Sequence, residues 1–175
     1  MVRAYYLEDP KENELKFVAM DTLYKISGVE YFKLNKDTYK TDGLLDSIKK
    51  ERGYNYEDEF VCSKECMPNY QDVLKNFYTE HLHDDDEIRF VSEGSGYFDV
   101  RAINDEWIRI EAEPGDMIIL PRGIYHRFTL DTNSFIRARR FFVGSPIWTA
   151  YYRPADDMEC RKSYLQQMKL KSSAL

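Results

Sequence analysis

Residues 81–101 read H-L-H-D-D-D-E-I-R-F-V-S-E-G-S-G-Y-F-D-V-R, and residues 115–126 read G-D-M-I-I-L-P-R-G-I-Y-H. The first stretch holds His81 and His83, the second holds His126, and the chain has three histidines in all. Between and around them the pattern is one of short strands punctuated by turns. Glu87 to Ser92 runs into Gly94-Ser95-Gly96, Tyr97 to Arg101 into Asn104-Asp105, and Trp107 to Glu111 into Pro114-Gly115-Asp116. Met117 to Leu120 leads to Pro121-Arg122-Gly123, and Tyr125 to Leu130 and Phe135 to Val143 complete the series. Strands of this length with turn signals every eight to twelve residues or so predict an antiparallel β-sandwich or barrel.

Strand geometry gives the histidines a chemical meaning. Residues two apart on a strand project from the same face, so His81 and His83 point the same way. Glu87 follows four residues later, and His126 arrives from a second strand. Three neutral imidazoles and one carboxylate suit a divalent transition metal with two open positions in octahedral geometry. The competing reading is a hydrogen-bonded polar cluster at a barrel mouth. A closed structural zinc site is disfavoured by the carboxylate and the lack of thiolates.

Outward from this region the chain is more mixed. Val2 to Leu7 and Val29 to Leu34 have strand composition. Thr41 to Arg52 predicts a helix stopped by Gly53, with Leu44, Leu45 and Ile48 at helical spacing. Asn69 to Phe77 predicts another, with Val73, Leu74 and Phe77 on one face. Beyond Pro154, the residues Met158, Leu165, Met168 and Leu170 allow a C-terminal helix. No repeat, linker or low-complexity tract interrupts the 175 residues, a length that suits one domain.

Composition excludes several function classes. A net charge of −6 and a pI near 5.2 argue against a nucleic-acid binder. With 14 Tyr and 10 Phe the chain is too aromatic for disorder. No leader of signal-peptide type and no long apolar run is visible, so the expectation is a soluble intracellular protein without membrane insertion. Cys62, Cys66 and Cys160 are read as reduced, incidental thiols.

The spacing H-x-H-x3-E-x6-G, ending at Gly94, and G-x5-P-x-G-x2-H, from Gly115 to His126, resembles the two signature motifs of the cupin superfamily. Lys75 and Leu130 stand where those motifs often carry glycine and asparagine; neither is a ligand position. The stretches quoted above, together with F-V-G-S-P-I-W-T-A-Y-Y-R-P-A-D from Phe142 to Asp156, resemble the acireductone dioxygenase family, in particular its eukaryotic branch. The resemblance is strong over residues 77–156 and weak over the N-terminal third.

That resemblance implies a mainly β fold, a cupin jelly-roll (double-stranded β-helix) barrel with a few peripheral helices. It implies one domain over residues 1–175, with a mixed α/β extension of about residues 1–78 packed on the barrel. It implies one Fe(II) or Ni(II) per chain, held by His81, His83, Glu87 and His126. The implied reaction is the dioxygenation of 1,2-dihydroxy-3-keto-5-methylthiopentene in methionine salvage. The implied products are 4-methylthio-2-oxobutanoate and formate with iron, or 3-methylthiopropionate, formate and carbon monoxide with nickel.

Arg89 is implied as the contact for the anionic substrate; the alternative is a buried salt-bridge partner for Glu87. Phe77, Phe128 and Trp148 are implied as walls of an apolar substrate pocket; the alternative is ordinary core packing. Asp84-Asp85-Asp86 reads as a solvated loop, and Arg137, Arg139 and Arg140 receive no role. The expected partners are the acireductone and O2 for a monomer in the cytoplasm and nucleus, with a protein partner in a secondary role. A metal-loaded cupin with a purely protein-binding role, or a sugar-phosphate isomerase, stands as the alternative function.

Overall fold

Alternation of apolar and polar side chains builds the protein. In Trp107–Ala112, Ile108, Ile110 and Ala112 are buried while Trp107, Arg109 and Glu111 are half-buried on the other face. The computed structural model describes residues 2–7 and 14–173. In chain order its elements are β1 (Arg3–Tyr6), α1 (Met20–Ser27), β2 (Glu30–Lys33), α2 (Leu44–Arg52), β3 (Tyr56–Ser63) and α3 (Tyr70–Tyr78). There follow β4 (His81–Leu82), β5 (Glu87–Gly94), β6 (Gly96–Arg101), β7 (Trp107–Ala112), β8 (Asp116–Leu120) and β9 (His126–Leu130). The series ends with β10 (Phe135–Phe142), β11 (Tyr151–Tyr152) and α4 (Glu159–Ser173).

The strands form two antiparallel sheets, ordered β1-β7-β6-β9-β4-β11 and β2-β8-β5-β10-β3. The expected mainly β barrel with peripheral helices is the fold observed. Apolar side chains from both sheets, among them Val91, Val100, Ile108, Ile110, Ile118 and Ile136, meet in the main core. A second core lies on the other face of the β2–β3 sheet, where Ile88, Phe90, Ile119 and Phe141 pack under Leu45 and Ile48 of α2. Odd and even positions of β5 therefore serve different layers. Ile88 and Phe90 go to the outer core, while Glu87, Arg89 and Val91 face the barrel interior.

Local chemistry sets the joints. Gly94 takes a positive φ of 70°, and a Cβ there would collide with the Phe135 carbonyl, so only glycine fits the β5–β6 hairpin. Helix α2 stops at Gly53, also left-handed, as its sequence implies.

Three elements, α1, β3 and the two-residue β11, have no counterpart among those the sequence predicts. Helix α1 is a short segment with no side-chain cap. Strand β3 reads Y-E-D-E-F-V-C-S, and its acidic residues obscure the strand pattern. Those acids are matched by arginines in the neighbouring strand: Glu57 with Arg139, Asp58 with Arg140 and Glu59 with Arg137. The C-terminal helix exists, but its buried face is Cys160, Arg161, Tyr164 and Met168, while Leu170 is exposed. Among the described residues no helix is long and apolar enough to cross a membrane.

Candidate metal centre and its cavity

Cross-strand register assembles the three imidazoles. His81 on β4 is the direct antiparallel partner of His126, the first residue of β9. Their ring centroids are 4.5 Å apart, and that of His83 lies 5.0 Å from His81 and 5.3 Å from His126. The ligand-capable atoms of the three rings all lie within 4.8 Å of one another. The stretch between the two sheets places Glu87 at the start of β5, with Oε2 at 3.1 Å from His83 Nε2 and 3.4 Å from His126 Nε2.

Each ring is oriented by a backbone carbonyl. His81 Nδ1 meets Thr79 O at 2.7 Å, His83 Nδ1 meets Thr149 O at 2.7 Å, and His126 Nδ1 meets Ile124 O at 3.0 Å. A carbonyl can only accept, so all three Nδ1 atoms donate, and in the neutral rings all three Nε2 lone pairs are free. His126 Nε2 is buried without any hydrogen-bond partner. An orphaned buried acceptor is costly unless something fills the site. Together with one carboxylate, this donor set fits a divalent transition metal, and the carbonyl partners are those that commonly fix metal-binding histidines.

The electrostatics of His81 and Glu87 point the same way. Burial, then the neighbouring His126, pushes the His81 imidazolium down to about 4, so the ring is neutral near neutral pH. Burial opposes the charge on Glu87, but Arg89 and the imidazoles of His126 and His83 outweigh it and hold the carboxyl well below its usual range. His83 differs: the Glu87 carboxylate 3.1 Å from its Nε2 outweighs burial and raises its value, favouring a proton that a bound metal would displace.

The cluster lies in the wall of a cavity of about 290 Å³. Every residue the sequence offers as a ligand or substrate contact lines it: His81, His83, Glu87, Arg89 and His126, with the aromatics Phe77, Phe128 and Trp148. Phe77 of α3 meets Phe128 edge-on at 6.2 Å and Phe60 of β3 at 5.8 Å. Trp148, in the connection after β10, is 37% exposed and so sits at the rim rather than in the core. No lysine lines the cavity among the described residues.

Arg89 points inward beside Glu87, its Nη2 3.5 Å from Oε2, and donates from Nη1 to the Ile88 carbonyl at 3.1 Å. Sequence reasoning missed its counterpart, Arg140. That residue is Arg89's register partner on β10 and also lines the cavity. Arg140 is held by Asp58 through two hydrogen bonds of 2.7 and 2.6 Å. Alternation along Phe135–Phe142 places Arg140 on the same inward face as Ala138, a signal present in the sequence but masked by three arginines in four positions.

The acidic run also has a structural part. Asp86 accepts the Arg122 backbone N–H at 2.8 Å, and Asp84 accepts from the Arg122 guanidinium at 2.7 Å, so the run ties the two histidine-bearing segments together. The three thiols are free, Cys62 and Cys160 buried and Cys66 exposed.

Fold and site together define a two-sheet β-barrel of the cupin kind with a histidine-rich candidate metal centre in the wall of a cavity lined by several aromatic rings. Comparison with known proteins agrees. The model of the ARD/ARD' family matches residues 6–150. The acireductone dioxygenase of Drosophila melanogaster is 52% identical over 174 residues, covering 95% of this chain and 94% of that protein. Acireductone dioxygenase 2 of Vitis vinifera is 46% identical over 182 residues, covering 99% and 91%. A solved acireductone dioxygenase from Bacillus anthracis, with a cadmium ion in its active centre, superimposes with a TM-score of 0.73 at 28% identity, covering 87% of this chain and 98% of that one. The chain belongs to the ARD/ARD' family.

Proposed function

We propose that this protein is an acireductone dioxygenase. Its substrates are O2 and 1,2-dihydroxy-3-keto-5-methylthiopentene. With Fe(II) the products are 4-methylthio-2-oxobutanoate and formate; with Ni(II) they are 3-methylthiopropionate, formate and carbon monoxide. The observation that carries this reading is the convergence of three carbonyl-oriented imidazoles and the Glu87 carboxylate at one end of an aromatic cavity.

His81, His83, Glu87 and His126 would hold the metal. Bound there, a divalent ion supplies Lewis acidity and a template for a chelating enediol. The chain's own residues do the rest. Arg89 keeps a fixed cation beside the site and favours the deprotonated substrate over the neutral enol. Phe77, Phe128 and Trp148 offer apolar wall to the methylthio tail and exclude water from it. The carbonyls of Thr79, Thr149 and Ile124 keep each Nδ1 protonated, so each Nε2 remains a donor of electrons.

A sugar-phosphate isomerase is disfavoured because Arg140 is already paired with Asp58 and the rings of Phe60, Phe77, Phe98, Phe128 and Trp148 leave the cavity few polar groups for a sugar phosphate. Two measurements test the reading. Metal analysis of the freshly purified protein is expected to give about one divalent ion per chain, with His81→Ala and His126→Ala losing most of it because each removes a direct bond. Anaerobic mixing with the acireductone followed by oxygen is expected to consume both substrates. Full metal occupancy in both variants, or no turnover by the loaded protein, overturns the proposal.

A further inference from the structure

The turn that delivers His126 is held from behind by the C-terminal helix. Tyr125, which precedes His126, is completely buried, and two guanidinium groups stand over its ring, Arg153 at 4.6 Å and Arg161 at 4.4 Å. Its hydroxyl oxygen accepts the Ala155 N–H at 2.7 Å. Arg161, in the first turn of α4, donates from Nη1 to the Gly123 carbonyl at 3.2 Å. Gly123 is left-handed, with φ of 84°, and a Cβ there would collide with the Cys160 carbonyl; helix and turn are in backbone contact. The Gly123 N–H in turn donates to the His83 carbonyl at 3.1 Å.

The same patch reaches the other ligand strand. Leu82 lies between His81 and His83 and is fully buried, and it packs with Tyr125 and Cys160 in a small cluster separate from the two larger cores. All three imidazoles are thus backed by one contact surface, whose directional bonds include Arg161 to the Gly123 carbonyl, Ala155 to the Tyr125 hydroxyl and the Gly123 N–H to the His83 carbonyl.

Arg161 is an expensive residue for a purely structural brace. It is 7% exposed, its Nε has no hydrogen-bond partner, and its ion-pair partner Asp156 stands 3.9 Å away and is largely exposed. Even with the Tyr125 and Tyr164 rings beside it, a buried cation with an unmet donor often contributes no more stability than an apolar side chain of similar volume. What an apolar side chain cannot supply is the directed hydrogen bond to Gly123, three residues before His126.

We infer that Arg161, with the Tyr125 ring as its platform, is a positioning residue for the metal centre: it fixes the 123–126 turn so that His126 Nε2 meets those of His81 and His83. The inference rests on the metal reading of the site given above. Arg161 contacts neither the imidazoles nor the cavity; it acts through the turn.

The test uses the full chain, stripped of metal and titrated with Co(II) in competition with a chelating indicator. The Co(II) visible spectrum and the melting temperature of the metal-free protein are recorded alongside. Arg161→Met is expected to bind Co(II) about tenfold more weakly, the low end for partners outside the ligand set, with altered visible bands. Its metal-free melting temperature is expected to hold or rise. Arg161→Lys, which can still donate to Gly123, is expected to recover part of the affinity. Tyr125→Phe, which removes only the oxygen accepting from Ala155, is expected to show a smaller loss of the same kind, so the inference stays exposed if Arg161→Met fails to fold.

Affinity and spectrum in Arg161→Met and Tyr125→Phe equal to those of the unaltered chain would overturn the inference and leave the metal reading intact. Affinity falling only in step with metal-free stability, with no recovery in Arg161→Lys, reduces Arg161 to a packing residue and also overturns it. Failure of the unaltered chain to take up Co(II) removes the metal reading and this inference with it.

Discussion

Arg89 and Arg140 face each other across β5 and β10 as register partners, both on the inward face, and both guanidiniums stand over the Trp148 ring, at 5.4 and 4.2 Å. Like charges directly across a ladder are destabilising unless countered. The counter-charges differ in kind. Arg140 is tied through Nε and Nη2 to Asp58, whereas Arg89 has a single 3.5 Å approach to Glu87, a proposed metal ligand. Arg89 is therefore the less firmly paired of the two arginines lining the cavity.

Arg89→Ala is expected to retain its metal and lose turnover. A charge-assisted contact to an anionic substrate contributes about 2–4 kcal/mol, or roughly one and a half to three decades in kcat/KM. Metal content and kcat/KM measured on the same preparation decide the matter. Loss of metal or of the fold in Arg89→Ala makes the residue structural instead.

Phe128→Ala is expected to act on binding more than on chemistry. The ring packs against Phe77 and Phe98 in the cavity wall, and it lies two residues from His126 on the same strand face. Removing apolar wall that contacts the substrate tail equally before and during reaction raises KM, here by about tenfold, and leaves kcat little changed. A fall in kcat with unchanged KM places the ring at the reacting carbons rather than at the tail.

Acid should weaken the protein partly through Asp58. The Arg140 guanidinium bonded to it holds this carboxyl below its ordinary value of 3.8. A carboxyl depressed in the folded state contributes stability that is complete above its unfolded value and disappears as pH falls through the folded value. Asp58→Asn is thus expected to melt lower than the unaltered protein at pH 6 to 7, with the gap closing as pH drops below 4. A gap of constant size from pH 7 to pH 3 contradicts the linkage.

Exchange of the metal should change the products without changing the chain. Three imidazoles and one carboxylate accommodate both Fe(II) and Ni(II), and no thiolate selects between them. Protein stripped and reloaded with Fe(II) is expected to release formate and the α-keto acid. The same protein with Ni(II) is expected to release carbon monoxide as well. Gas analysis of the two pure forms checks this, and identical products from both refute it while leaving the dioxygenase reading in place.

Much of this protein was legible in one dimension. Period-two alternation and turn residues located the strands from Glu87 to Phe142, because a strand with one face buried has no other way to arrange its side chains. The two histidine segments were readable for a related reason: H-x-H in extended chain presents two imidazoles on one face, and the rings converge although β4 itself ends at Leu82. The cavity residues Phe77, Phe128 and Trp148 came from resemblance rather than from period, since apolar rings in a pocket and in a core look alike along the chain.

Other features depended on the three-dimensional pairing. Strand β3 escaped notice because Glu57, Asp58 and Glu59 look like loop residues until the arginines of β10 lie beside them. Arg140 had no visible role until register placed it opposite Arg89. The bracing of the His126 turn by Arg161 joins residues 38 positions apart, through a helix that packs Tyr164 and Met168 on α1 and turns Cys160 and Arg161 toward Tyr125 and Gly123. Local sequence determined which residues could be ligands and which segments were strands, because both follow from short-range geometry. The counter-charge on each arginine, the orphaned Nε2 of His126 and the backing of the metal centre were decided by the tertiary structure, because each depends on which distant segment supplies the partner.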